Sequence, residues 1–291
     1  MEPTAPHRAP PGQAAGTLLK LEGRDALVLL HRLSTQSLLE LAPGEARATL
    51  FCDYRGRLHH RAWVAVTGDR AVWLLRDDAP TIPLADFLER FVFREDVRIG
   101  VPREDWSVRQ VAGNIGLEPG RVRERGGLPH EIQTRPDWAL VLAPPAAPPP
   151  LPDLEHARIL AGLPRHGHEI AESFTPFEVN LGPEVHLRKG CYTGQEALLR
   201  LMTYKSVRRR LVRVSAGGAP PATPHELRHG DAVVGWVTSA APTIDPAHGP
   251  GWIGLAVLAN GMCDPKIQLA VEGRPLALDH VFELLPPLGL S

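Results

Sequence analysis

Lys189-Gly190-Cys191-Tyr192-Thr193-Gly194-Gln195-Glu196 is the stretch on which the reading of this chain turns. Threonine followed three residues later by glutamate has the spacing of a capping box. In that motif the Thr193 hydroxyl accepts the Glu196 amide hydrogen and the Glu196 carboxylate returns to the Thr193 amide. The spacing predicts a helix from Gly194 through Ala197, Leu198, Leu199 and Leu201, which are good helix formers. Cys191 then falls just before the positive end of the helix dipole, near Lys189, a placement that favours a thiolate. Two readings of Cys191 stay open at this level: a reactive thiol, or a small apolar side chain packed inside, as free cysteine commonly is. Lys189 bears on the choice. Arginine is the default cation of this chain and lysine supplies only four of its 32 basic residues, so an ammonium here stands out against a planar guanidinium.

Outward from this stretch, composition sets bounds. A chain of 291 residues is long for one core and suggests about two domains. Hydrophobic residues at 43% and charged ones at 22% are ordinary for a globular protein. The formal charge of -1 gives no global field to attract nucleic acid or an acidic membrane, so neither is expected as a partner. Cys52, Cys191 and Cys263 lie far apart with no C-x-x-C spacing, which suggests neither a disulfide framework nor a metal site and fits a reducing cytoplasm. No apolar run reaches the length of a membrane span. Residues 1–16, rich in Ala and Pro, read as a disordered tail.

Thr17 to Leu21 reads as a strand, Gly23 as a turn, and Asp25 as the N-cap of a helix carrying Leu27, Leu30 and Leu33. Ala48 to Cys52, Leu58 to Val66 and Ala71 to Leu75 read as consecutive antiparallel strands. A helix over 84–91 presents Leu84, Phe87, Leu88 and Phe91, and strands resume over Val92 to Ile99 and Val108 to Ala112. This order argues for an α+β fold. Residues 143–152 are dominated by proline, which lacks an amide donor and restricts its predecessor, so they read as an extended connection inside a 17–205 region of two subdomains. Leu154 to Leu160 returns to helix. Beyond residue 205, short strands broken by Gly and Pro predict a small all-β barrel over 206–291.

With these residues in hand, Lys189 to Glu196 resembles the K-G-C-Y-x-G-Q-E signature of the YgfZ-type folate-binding proteins, and Arg200 continues it. Arg158 to Pro164, Thr175 to Leu181 and Val234 to Ala240 resemble stretches of the same family. Leu33 to Gln36 and Phe51 to Arg57 do so more weakly. The resemblance implies the fold of the glycine cleavage aminomethyltransferase, mixed sheets and helices around a central folate-binding channel. It also implies a monomeric accessory protein that binds tetrahydrofolate or a derivative such as 5-formyl-tetrahydrofolate. Such a protein would support assembly or repair of iron–sulfur proteins, touching tRNA modification only indirectly, with iron–sulfur proteins or assembly factors as partners.

Lys189, Gly190, Cys191, Tyr192, Gly194, Gln195 and Glu196 carry the signature. Cys191 is the candidate catalytic residue, Glu178, Arg200, Tyr192 and Lys189 are candidates to hold the folate, and no metal ligand set is expected. Two departures matter. The transferase places an aspartate after a Gly-Gly turn where this chain reads Arg55-Gly56-Arg57-Leu58-His59-His60, which argues against a classical aminomethyltransferase. It places a pterin-binding glutamate where this chain has Leu160, leaving Glu178 as the nearest substitute. A working aminomethyltransferase or demethylase using His59, His60 or Glu178, and a scaffold without folate chemistry, are the alternatives. Arg208-Arg209-Arg210 with Lys205 reads as an anion site or a solvated face, and His166 with His168 as a weak metal pair. Trp63, Trp73, Trp236 and Trp252 read as packing residues.

Overall fold

The alternation of apolar residues along residues 16–143 builds one large antiparallel sheet. A computed structural model describes residues 16–144, 153–245 and 249–290. Tail residues 1–15 and connection residues 145–152 lie outside the described residues. The first region contains β1 (Gly16–Glu22), α1 (Ala26–Leu33), β2 (Glu45–Cys52), β3 (Leu58–Val66), β4 (Val72–Leu75) and α2 (Ile82–Glu89). It continues through β5 (Arg98–Ile99), β6 (Arg103–Ala112), β7 (Val122–Arg125), β8 (Leu128–Arg135) and β9 (Trp138–Ala143). The strand order is β2-β3-β4-β1-β6-β9-β8-β7, with β5 paired to β1.

The two ends of that order meet. The Ala46 amide donates to the Gly120 carbonyl at 2.8 Å and the Val122 amide to the Gly44 carbonyl at 2.9 Å. The sheet therefore rolls into a nearly closed cylinder, which protects its edges. Leu18, Ala48, Ala65, Trp73, Leu75, Val108, Ile132 and Leu142 pack on one face, while α1 and α2 cover the other through Leu29, Leu30, Leu84 and Leu88.

Beyond the connection come α3 (Asp153–Leu160), the 3-10 turns Pro176–Val179 and Gly182–Glu184, and α4 (Gln195–Thr203). A closed six-stranded barrel follows: β10 (Arg209–Gly217), β11 (His225–His229), β12 (Ala232–Asp245), β13 (Gly249–Ala259), β14 (Leu269–Val271) and β15 (Arg274–Val281). Its core holds Val212, Val237, Trp252, Leu258 and Leu269. A separate apolar cluster binds sheet to barrel, with Leu50 and Leu58 meeting Phe174, Tyr192 and Leu198 on one side and Leu211, Ile253 and Leu255 on the other. Trp63, Trp73, Trp236 and Trp252 are all buried.

Three local expectations are corrected. Val92 to Ile99 is strand only at Arg98–Ile99, because the Glu95 carboxylate accepts the Phe93 and Arg94 amides and turns the chain there. Asp25 does not cap α1 through its side chain; its carboxylate instead accepts the Asp96 amide at 2.9 Å and ties the helix start to the turn before β5. The capping box expected at Thr193 and Glu196 is not formed, because α4 starts from Gly194 in the left-handed region and has no side-chain cap. A capping box forms instead at Thr175 and Glu178, which also have the T-x-x-E spacing.

Candidate functional site

The rolled sheet, the chain after α3 and the turn at 182–184 enclose a cavity of about 500 Å³, within the ordinary range of small-molecule sites. Trp63 from β3 and Trp138 and Leu140 from β9 line its apolar part. Leu163, Pro164, Pro183 and Leu285 close it from the connecting segments. Gln36, Gln110 and Thr134 add neutral polar groups.

Seven charged residues line the same space: Glu45, Arg47, Arg61, Asp77, Arg121, Arg135 and Glu184. Alternation along β3 turns Arg61 to the Gly182–Glu184 turn, where its Nε and Nη2 fork the Glu184 carboxylate at 2.8 and 2.7 Å. Arg121 pairs with Glu45 at 3.0 Å, and Arg47 donates to the Ser37 carbonyl at 2.6 Å. Burial, followed by repulsion from Asp78, pushes the Asp77 carboxyl up to about 6. Burial, then the Arg61 charge, pulls Arg135 below its ordinary value. Aromatic walls with donors and acceptors of both signs suit a flat, polar, anionic molecule.

The signature stretch lies outside the lining of this cavity and is held by packing. The His31 ring Nε2 lies 2.9 Å from the Lys189 carbonyl, and the Lys189 ammonium donates back to the His31 carbonyl. That ammonium sits 4.9 Å from the centre of the Tyr192 ring, and burial lowers its pKa to about 8. Tyr192 is buried in the sheet–barrel cluster, and Gln195 donates to the Leu187 carbonyl at 2.7 Å. Glu196 and Arg200 form an exposed pair one helical turn apart. Cys191 is exposed, so the packed reading of its thiol does not hold.

Gly194 occupies a position that a side chain would not fit. Its φ is +84°, and a Cβ there would lie 2.4 Å from the Asp53 carbonyl oxygen. Gly194→Ala is expected to lose about 1–3 kcal/mol of stability through left-handed strain and displacement of the 53–56 turn. Urea unfolding measures it, and an unchanged midpoint would show that the turn yields freely.

The remaining sequence candidates are placed as follows. Glu178 does not reach the cavity lining: its carboxylate accepts the Thr175 amide at 2.9 Å and the Arg209 Nε at 2.8 Å, so it holds a turn. Arg200 lies on α4 away from the cavity. Leu160 is exposed at the end of α3, with its carbonyl accepting from Arg213 at 3.2 Å, and it is not a lining residue either. His59 faces Glu172 at 3.0 Å, whereas His60 is half-buried between His166 and Phe87 and desolvation pulls it down to about 3. His166 accepts from Arg76 at 2.6 Å while His168 meets the Thr238 carbonyl, so the two do not converge. No metal-holding group occurs among the described residues. Within Arg208-Arg209-Arg210, Arg209 serves Glu178 and Arg210 bonds Asn260.

Sequence reasoning missed the cavity's own residues. Arg61, Asp77, Arg135 and Glu184 come from four distant segments, and only folding brings them together. The one signal on offer was two adjacent acids, Asp77-Asp78, directly after an apolar strand.

No protein-family model matches the chain. An aminomethyltransferase of Streptomyces avermitilis is 36% identical over 124 residues, covering 37% of this chain and 33% of that protein. The mitochondrial iron-sulfur cluster assembly factor IBA57 homolog of Mycosarcoma maydis is 30% identical over 169 residues, covering 53% of this chain and 42% of that protein. The chain thus spans well under half the length of these curated relatives. The crystal structure of glycine cleavage system aminomethyltransferase T from Bartonella henselae superposes with a TM-score of 0.68 at 16% identity, over 95% of this chain and 88% of that one. The fold is therefore the aminomethyltransferase fold, with mixed sheet, few helices and a closed C-terminal barrel. Sequence relatives and fold together are those of the aminomethyltransferase-like superfamily.

Proposed function

We propose that this chain is a tetrahydrofolate-binding accessory protein that supports assembly or repair of iron–sulfur proteins, with any effect on tRNA modification indirect. The observation that carries the reading is the pairing of a half-open, aromatic-walled cavity with an exposed thiol outside it. A folate needs flat apolar surface for its rings, hydrogen-bond partners for the pterin and cations for its glutamate carboxylates. Trp63 and Trp138 would face the rings, and Arg47 and Arg121 would meet the carboxylates. The bound folate would supply a reduced one-carbon carrier. This chain's residues bind and orient it and keep water from it. The similarity to a protein named for iron–sulfur cluster assembly supports the second half of the reading.

A working aminomethyltransferase is less well supported. It needs a proton-transfer group at the reacting nitrogen. The stretch 55–60 offers no carboxylate, His59 faces Glu172, and His60 is half-buried with its pKa pulled down to about 3 by desolvation.

Titration of the full chain with 5-formyl-tetrahydrofolate tests the cavity, with saturable binding in the micromolar range expected. Absence of binding at submillimolar concentration would favour a scaffold without folate chemistry. Cys191→Ala tests the thiol. The variant should fold and bind folate like the parent, yet fail to restore cluster-dependent enzyme activities in cells lacking the protein. Full restoration by Cys191→Ala would remove the thiol from the proposal.

A further inference from the structure

The C-terminal barrel closes least completely between β11 and β14. β12 pairs with β11 at every residue from His225 to His229, whereas among the described residues β14 pairs with it only at Arg228–Ala270. β14 ends at Val271, and the chain turns through Glu272 and Gly273, both at positive φ, into β15. Among the described residues, the side of β11 from His225 to Leu227 that faces away from β12 therefore has no strand beside it. A groove of about 440 Å³ opens there, lined by Glu226, Arg228, Trp236, Ala270, Glu272 and Gly273 among others. Leu227 points into the barrel core, so Glu226 and Arg228 point out, and Trp236, paired with Glu226, shares that outer face. Trp236 is 7% exposed, and among the described residues its Nε1 is buried without a hydrogen-bond partner. A buried donor left unanswered is costly.

The unanswered groups of this groove are a strand's backbone edge and one indole N–H, and a polypeptide backbone completes both. The lining charges select further. Carrying the Arg228–Ala270 register back by two residues sets Glu226 opposite Glu272, two carboxylates across one gap, an arrangement that works against its own closure. Each is paired with the arginine two residues on, Arg228 and Arg274, in solvent-exposed pairs that hold weakly. A cation entering the gap would meet both carboxylates at once.

We propose that the open edge of β11 takes an extended segment of a partner protein as an added strand, with a lysine or arginine of that segment between Glu226 and Glu272 and one of its backbone carbonyls on Trp236 Nε1. Main-chain bonds to an open edge supply affinity in this mode, and alternate side chains supply specificity. A second copy of this chain is the poorer occupant, because pairing two β11 edges would bring the same carboxylates together. No described residue lines both this groove and the cavity of the rolled sheet, so the two sites are independent and the inference does not rest on folate binding.

The test titrates the full chain with the synthetic peptide acetyl-Thr-Val-Lys-Val-Thr-amide and follows backbone and indole N–H resonances. Binding should be saturable and should shift the β11 amides and the Trp236 indole, whose resonance is the one lost in Trp236→Phe. The same peptide with glutamate in place of lysine should bind about tenfold more weakly. The lysine peptide N-methylated on alternate residues keeps every side chain but loses its ladder donors, and it should not bind; this arm needs no protein variant. Glu226→Gln combined with Glu272→Gln, both at exposed side chains, should fold and bind the lysine and glutamate peptides within about twofold of each other. Equal binding of the N-methylated peptide overturns strand addition, and equal binding of the two charge forms by the parent overturns the role of the carboxylates. The whole proposal falls if no peptide binds at up to about 5 mM. It also falls if the chain alone self-associates through β11 and the double Gln variant strengthens that association, which would place a second copy on the edge.

Discussion

Glu169→Leu is expected to lose about 3–5 kcal/mol of folding free energy, because it removes at once the acceptor of two buried hydroxyls and one backbone amide and one of the two carboxylates that hold a buried guanidinium. The Glu169 side chain is fully buried and every oxygen is used. Oε1 accepts from the Thr238 and Ser239 hydroxyls of β12, and Oε2 from the Arg165 amide at 3.1 Å and Arg158 Nη1 at 3.3 Å. Arg158, itself 4% exposed, also binds Glu155 on its own helix and the Leu163 carbonyl. The network ties α3, the segment after it and the barrel into one unit, and Leu163 and Pro164 of that segment form part of the cavity wall. Loss of Glu169 should therefore loosen that wall as well as lower stability. Guanidinium unfolding measures the effect. A loss below about 1 kcal/mol would mean that water reaches the guanidinium and that the network is not dry.

The large features of the fold were legible because they rest on local rules. β1 to β4, α1 and α2 follow from apolar spacing, α4 was read from good helix formers behind a capping box that does not form, and the Gly- and Pro-broken strands beyond residue 205 announced an all-β end. What was missed depends on distant partners. β7 and β8 flank a Gly126-Gly127 turn, a hairpin signal that was present, but their solvent-facing positions carry Arg and Glu and hide the alternation. The closure of the sheet through Gly44, Ala46, Gly120 and Val122 is a backbone event that no side-chain pattern encodes.

The site divides in the same way. The signature could be read because it is contiguous, and its identities turn out to serve packing: Lys189 on His31, Tyr192 in the cluster, Gln195 on Leu187 and Gly194 against Asp53. T-x-x-E spacing occurs three times, at Thr175, Thr193 and Thr223, and only the backbone decides which copy forms the box. At 193 a left-handed glycine occupies the cap position, whereas at 175 an extended threonine does. The cavity could not be read, because Arg61, Asp77, Arg135 and Glu184 are separated by tens of residues and each resembles an ordinary surface charge.

Glu184→Ala should separate the stability of the cavity from its occupancy. Arg61 and Glu184 form a two-bond fork with side chains 14% and 13% exposed, so removing the carboxylate strands a guanidinium in the cavity wall. The expected loss is about 2–4 kcal/mol, below that at Glu169 because the pair retains some contact with solvent. The Glu184 backbone remains fixed, since its carbonyl accepts the Thr35 hydroxyl at 2.7 Å, so the turn should hold its place and the cavity its shape. An anionic ligand would then meet Arg61 as well as Arg135, and 5-formyl-tetrahydrofolate should bind the variant at least as tightly as the parent. Ligand at about one hundred times its dissociation constant should restore about 2.7 kcal/mol, most of what the substitution removes. Unfolding with and without the folate reads both effects at once. A variant that loses stability and is not rescued would place the anionic end of the ligand away from Arg61, and one that loses no stability would show the fork to be solvated.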